Sequence, residues 1–284
     1  MNADPLRSPA ARAVRHVAAL SSGPALDPGL RVTLNFHPDR RTADGRAILD
    51  AMAEDGAYRS QFATGTSNGG LTAHPGGDRW LWESRIFGGV YDTADADERP
   101  VYGALDFRRK PLGAAPRFGS AFFRLSAAAL ARTTFCYPDS WLSPTAFGVA
   151  TAMPLIGPAV ADSASGRTDA LDDYVEAQVH GPLLLAGDVE ALVLDPCFRG
   201  TGVEAAARRL PCPLAWHQGV TLGVGELVRH REFRGPEIVD LGLRLAVDGR
   251  LDPRILGDAA RSGGHDPQQL KKVWHLLARF GAPA

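Results

Sequence analysis

"RVTLNFHPDR", residues 31–40, begins as an apolar run of β type and breaks off in an imidazole, a proline, a carboxylate and a guanidinium. Val32, Thr33, Leu34, Asn35 and Phe36 read as a strand. His37, Pro38, Asp39 and Arg40 are useless for packing a core, so this strand end is expected to meet a ligand. Downstream, Ile48, Leu49 and Met52 fall on one helix face within residues 45–58, and Asp44 stands ready to cap it. The local order is therefore strand, polar motif, helix.

The whole chain has 284 residues, 45% of them hydrophobic and 22% charged, enough apolar side chain for a real core. A formal net charge of −1 argues against binding by bulk phosphate neutralisation. Cys136, Cys197 and Cys212 are odd in number and widely spaced, which indicates neither a disulfide framework nor a cysteine zinc site and fits a reducing cytoplasm. No apolar run is long enough to span a bilayer, so no membrane partner is expected. Residues 1–20 lack the uniform apolar stretch of an export signal and read as an amphipathic helix interrupted by Arg7, Arg12, Arg15 and His16. Cytoplasmic residence, or delivery into a target cell by a dedicated secretion system, are the two locations left open.

Residues 58–80, "YRSQFATGTSNGGLTAHPGGDRW", are rich in Gly, Ser, Thr and Asn and read as loop after at most one short strand. "RPVYGALDF" and "FGSAFFRLS" are strand candidates. Residues 154–167, "PLIGPAVADSASGR", have the composition of a linker. Strands follow at 174–180 and 189–194 around an apolar bend, and the last third adds helices at 202–210, 238–246 and in "PQQLKKVWHLLARFG", which stops at Gly281. The class is α+β. Its expected division is a helical segment at 1–30, a core at 31–200 and a mainly helical extension at 201–284 packed on that core.

Leu34, His37 and Arg40 form a Leu-x-x-His-x-x-Arg pattern that resembles the first-strand motif of the ADP-ribosyltransferase superfamily in its histidine branch, the branch of diphtheria toxin and the poly(ADP-ribose) polymerases. That resemblance implies a split β-sheet core and a histidine that holds the adenosine ribose of NAD. "FATGTSNGGL", residues 62–71, is similar to the hydroxyl- and glycine-rich stretch that follows in the superfamily, which implies that Thr64, Thr66 and Ser67 shape the nicotinamide end. "YVEAQVHGPLLLAGDVEALVLDP", residues 174–196, resembles the segment that carries the catalytic glutamate, with Glu176 at that position. A second register, that of the Glu-x-Glu branch, would put Gln178 there and imply an inactive protein. The middle of the chain also resembles a bacterial family catalogued only as a domain of unknown function.

On this resemblance the activity is cleavage of the nicotinamide–ribose bond of NAD, a substrate rather than a resident cofactor. ADP-ribose passes to water or to an acceptor that is a protein, a nucleic acid or a small molecule, in a toxin or effector setting. Arg40 or Arg117 would meet the pyrophosphate, because a guanidinium matches phosphate oxygens in bidentate fashion. Tyr102 could stack on a ring, and Arg85 is a lesser phosphate candidate. Pro38 departs from the glycine usual after the histidine and keeps only a carbonyl for the nicotinamide amide. A lost neutral hydrogen bond costs about 1 kcal/mol, so Arg40, Thr66 or Ser67 would have to donate instead.

Two rivals stay open. One is a nucleotide-binding module without turnover. The other is a metal-dependent hydrolase built from His37, Asp39, His180 and Glu176, although the eight histidines contain no HExxH or other close ligand pair and no metal is expected.

Overall fold

The computed structural model describes residues 8–65 and 71–284. Its strands in chain order are β1 Val32–Phe36, β2 Ala57–Tyr58, β3 Val101–Leu105, β4 Ala121–Leu125, β5 Thr133–Tyr137 and β6 Ala146–Val149. There follow β7 Val175–Val179, β8 Leu183–Leu184, β9 Val189–Leu194, β10 Leu214–Trp216, β11 Leu222–Gly223 and β12 Arg250–Leu251. The first helices are α1 Pro9–Leu20, α2 Ile48–Asp55, α3 Gln61–Thr64, α4 Asp78–Ile86, α5 Ile156–Ala164 and α6 Leu185–Asp188. The C-terminal third holds α7 Gly202–Ala207, α8 Val224–Arg229, α9 Pro236–Leu245, α10 Pro253–Arg261 and α11 Pro267–Phe280.

Eight strands form one mixed sheet in the order β10-β9-β4-β1-β3-β7-β5-β6, with β10 parallel to β9 and the other pairs antiparallel. The fold is α+β. The two-residue period of the strands sends Val32, Leu34 and Phe36 of β1, Phe123 of β4 and Val175, Ala177 and Val179 of β7 into one large apolar core. The opposite face carries Thr33 and Asn35 of β1, Tyr102 of β3, Thr134 and Cys136 of β5, and Glu176 and Gln178 of β7. Across it Glu176 stands opposite both Ala104 and Cys136, and Gln178 stands opposite both Tyr102 and Thr134. One face of the sheet is hydrocarbon; the other is polar at its centre.

The central pair β1·β3 is short. Its ladder joins Val32 to Leu105 and Thr33 to Ala104 and goes no further, although both strands continue. Where they part, Gly103 lies so close to β1 that an added Cβ would sit 2.4 Å from Leu34 Cδ2 and 2.6 Å from the Thr33 carbonyl oxygen. Only glycine lets the strands approach there and then diverge.

Part of the polar face is covered by α1 and α4. Ala13 and Val17 of α1 pack with Trp82 and Ile86 of α4 and with Phe87 and Tyr91 beyond it. Helices α8 to α11 enclose a second apolar cluster around Leu227, Val239, Leu256 and Trp274. That cluster is tied to the sheet by Trp274, whose indole donates to the Pro116 carbonyl at 2.9 Å, and by Arg261, which pairs with Asp39 at 3.0 Å.

Several boundaries differ from the sequence reading. The linker expected at 154–167 is largely helix α5, which buries Ala159; Pro158 sits in its first turn, where a missing N–H costs nothing. The helix expected at 45–58 is shorter, and Asp44 does not cap it: the N-cap is Ala47, and the Asp44 carboxylate pairs with Arg46 at 2.8 Å. The stretch expected to be loop contains α3 and ends inside α4. Strands β5, β6 and β10 of the sheet have no counterpart in the sequence reading, and β10 joins the sheet from the stretch expected to be mainly helical.

Candidate functional site

Helix α4 explains how charge reaches the polar face. Arg79, Trp82, Glu83 and Ile86 fall at i, i+3, i+4 and i+7, and all four are buried. Half of an inward helix face is therefore ionic, a costly arrangement unless each charge finds partners. Glu83 accepts from Tyr102 Oη at 2.8 Å and from Arg99 at 2.7 Å, and Arg99 also donates to the Tyr91 carbonyl at 2.7 Å. Burial still pushes the Glu83 carboxyl up to about 7, against the pull of Tyr102 and Arg99.

Arg79 lies over the Tyr102 ring, 3.9 Å from its centroid, and donates to Ser140 Oγ at 2.7 Å. Its guanidinium is 3.9 Å from Glu176 Oε1. Burial opposes its charge, but Tyr102, Glu176 and Glu83 together hold its pKa above the ordinary arginine value.

Glu176 is 7% exposed and has donors on both oxygens. Oε2 accepts from the Ser140 N–H at 3.2 Å and the Ser140 hydroxyl at 2.8 Å. Oε1 accepts from Gln178 Nε2 at 3.0 Å and, weakly, from the Cys136 thiol at 3.8 Å. Ser140 can serve Oε2 twice because it opens the tight turn Ser140–Leu142 after β5. Gln178 can serve Oε1 because residues two apart on a strand share a face. Burial raises the Glu176 pKa; Arg79 and both Ser140 bonds work to lower it. The arrangement is a dry, oriented carboxylate beside a delocalised cation.

Glu176, Arg79 and Tyr102 share the wall of a cleft of about 510 Å³ that runs past Gly103, Thr33 and Asn35, where β1 and β3 separate. This is the size range of small-molecule sites. Farther along, the wall is formed by Arg40, Ile48, Met52 and Tyr58, then Thr64. Arg40 has no carboxylate within ion-pair distance among the described residues, since the neighbouring Asp39 pairs with Arg261. Burial lowers the Arg40 pKa and the Asp39 carboxylate opposes that.

Of the residues proposed from sequence, the cleft brings together Glu176, Tyr102, Arg40 and Thr64. Thr66 and Ser67 lie outside the described residues. Gln178 is behind the wall as a partner of Glu176. His37 is not on that wall: its ring packs edge-on against Trp274 at 5.1 Å. Burial, then the positive charge of Arg40, His275 and Lys271, lowers the His37 pKa to about 3, so the imidazole is neutral. Arg117 is off the wall too, paired with Asp172. Arg85 is exposed in the last turn of α4. His180 is fully buried against Tyr91 and Thr134.

Arg79, Glu83, Arg99 and Ser140 were missed. For Arg79 and Glu83 a signal existed, because charged residues at i and i+4 share their helix face with Trp82 and Ile86. Arg99 and Ser140 carry no such pattern.

Among the described residues no three His, Cys, Asp or Glu side chains gather as metal ligands, and no helix is long and apolar enough to cross a membrane. No curated protein matches the chain. A family described as "protein of unknown function (DUF3626)" matches residues 31–163 and 157–280, nearly the full length, and the chain belongs to that family.

Proposed function

We propose that the chain cleaves the nicotinamide–ribose bond of NAD and passes ADP-ribose to an acceptor or to water. The observation that supports this most is a buried, multiply hydrogen-bonded carboxylate on the wall of a ligand-sized cleft that opens where two central strands part. A sheet split of this kind accords with the ADP-ribosyltransferase resemblance of the strand motifs.

When the bond breaks, its electron pair goes to the nicotinamide nitrogen, whose positive charge is quenched, and the ribose becomes an oxocarbenium ion. An oxygen or nitrogen of the acceptor, or water, then attacks that carbon and loses its proton. Glu176 stabilises the ribose cation through its fixed negative charge, worth far more on a dry wall than in water. Tyr102 and Arg79 present a flat, stacked surface suited to the departing ring. Arg40 is available for the pyrophosphate. Because His37 stands off the wall, the adenosine end falls to Arg40 and Thr64.

A second reading has one observation in its favour. Both Glu176 oxygens already accept hydrogen bonds from the protein, which suits a nucleotide binder without turnover. Thermal melting with NAD, ADP-ribose and nicotinamide tests the shared part of both readings. At a hundred times its dissociation constant, a ligand specific to the native state adds about 2.7 kcal/mol. Melts unmoved by all three compounds would overturn the nucleotide assignment; binding without nicotinamide release would favour the binder.

A further inference from the structure

Behind Glu176 a single line of side chains runs through the buried polar face. Tyr91 Oη meets His180 Nδ1 at 2.8 Å, and His180 Nε2 meets Thr134 Oγ1 at 2.9 Å. Thr134 Oγ1 donates to Gln178 Oε1 at 2.9 Å, and Gln178 Nε2 donates to Glu176 Oε1 at 3.0 Å. His180, Thr134, Gln178 and Glu176 are all buried.

The proton positions in this line are not independent. An ionised carboxylate only accepts, so it must face the Gln178 NH2 group, which turns the amide oxygen toward Thr134. Thr134 spends its one proton on that oxygen and must accept from His180, so the imidazole carries its proton on Nε2. The bare Nδ1 then accepts from Tyr91. If Glu176 is protonated, every step can reverse: the amide turns over, Thr134 donates to a bare Nε2, and His180 carries its proton on Nδ1. The line has two self-consistent polarities, one for each charge state of the carboxylate.

We infer that His180 is a positioning residue for Glu176, acting through Thr134 and Gln178 so that the ionised carboxylate requires the Nε2–H tautomer of the imidazole and protonation of the carboxyl releases the ring to its Nδ1–H tautomer. The inference rests on the assignment of Glu176 as the functional carboxylate. Bonds in such a chain polarise one another, so the aligned state favours negative charge at its end. Burial, with Arg132 beside it, keeps His180 neutral, which leaves the tautomer as its free variable.

Other groups also face the two ends. Glu176 sees Arg79 from α4, Tyr102 from β3, Cys136 from β5, and Asp139 and Tyr174 nearby. His180 sees Arg132, which donates to its carbonyl, and Tyr91. The line through Thr134 is the short side-chain connection between His180 and Glu176; the way round through Tyr91, Arg99, Glu83, Tyr102, Arg79 and Ser140 is much longer.

The test is an NMR titration of the full chain with carbon-13 in the glutamate carboxyls and nitrogen-15 in the histidine rings, with no nucleotide added. In wild type the His180 ring should report Nε2–H while Glu176 is ionised and change to Nδ1–H with the same midpoint as Glu176. Thr134→Val keeps the shape but cuts the line, and should raise the Glu176 midpoint by about one pH unit, a tenfold loss of ionisation. It should also uncouple the two signals. Thr134→Ser restores the hydroxyl and should restore both. A His180 tautomer that ignores Glu176, or an unmoved midpoint in Thr134→Val, overturns the inference. Since no NAD is involved, failure to turn over NAD would remove the proposed activity and leave this result standing.

Discussion

The guanidinium of Arg79 lies 3.9 Å from the centroid of the Tyr102 ring and also comes within 3.9 Å of Glu176 Oε1. One side chain thus neutralises the buried carboxylate and stiffens the aromatic wall of the cleft. Its removal strands Glu176 in a dry environment with no cation beside it. Arg79→Ala should cost about 3–5 kcal/mol, the range for breaking a buried ion pair. Arg79→Lys, which keeps the charge but loses the planar stack, should cost less, about 1–2 kcal/mol. Urea unfolding of the two variants checks both figures; wild-type midpoints would show that the contact is idle.

A second prediction concerns the join between the sheet and the C-terminal helices. Gly257 of α10 faces Asp39 so closely that an added Cβ would lie 1.4 Å from Oδ2. Gly257→Ala must therefore push Asp39 away from Arg261, and should destabilise by about 1–3 kcal/mol, as overpacking does. Gly157, in the first turn of α5, has nothing within 4 Å of its own added Cβ. Gly157→Ala should be neutral or stabilising by up to about 1 kcal/mol. Thermal melts of the pair give opposite signs if the packing is as described.

The third prediction is a pH dependence. His275 on α11 is 5% exposed, and burial, then Arg234, Arg117 and Lys271, lowers its pKa from 6.5 to about 3. The unfolded chain takes up a proton near pH 6.5 and the folded chain near pH 3, so the stability tied to the neutral ring is intact above pH 6.5 and is lost as pH falls toward 3. One such group contributes about 1.4 kcal/mol per pH unit across that window. His275→Phe should flatten the curve of stability against pH by this amount between pH 6 and 4. Parallel curves for wild type and variant would mean that the ring is not held neutral.

How much of this was legible depends on where each signal resides. The strands at 32–36, 175–179 and 189–194 alternate or saturate with apolar residues, and that local pattern survives in the fold. Glu176 stands out in the sequence only through its resemblance to the superfamily's glutamate-bearing segment, and the fold puts it on the cleft wall. Its orientation was not legible, since Ser140 becomes a donor only through the turn after β5, and β5 itself had no recognisable boundary. His37 was correctly placed at a strand end. Which way it faces is decided by Trp274 on α11, a residue remote in sequence that fills the space beside it. Helix α5 was hidden because Gly, Pro and Ser look like linker, whereas a proline in a first helical turn is well tolerated.

Glu176→Gln tests the central claim most directly. The substitution removes the charge while keeping the size, and a melt confirms that the variant is folded. If the carboxylate acts on the ribose cation, the transition state should suffer far more than the ground state. Nicotinamide release from NAD should then fall about 100- to 1000-fold, while NAD affinity changes by less than about tenfold. Equal and measurable release by wild type and Glu176→Gln would contradict the account and leave Glu176 a structural carboxylate.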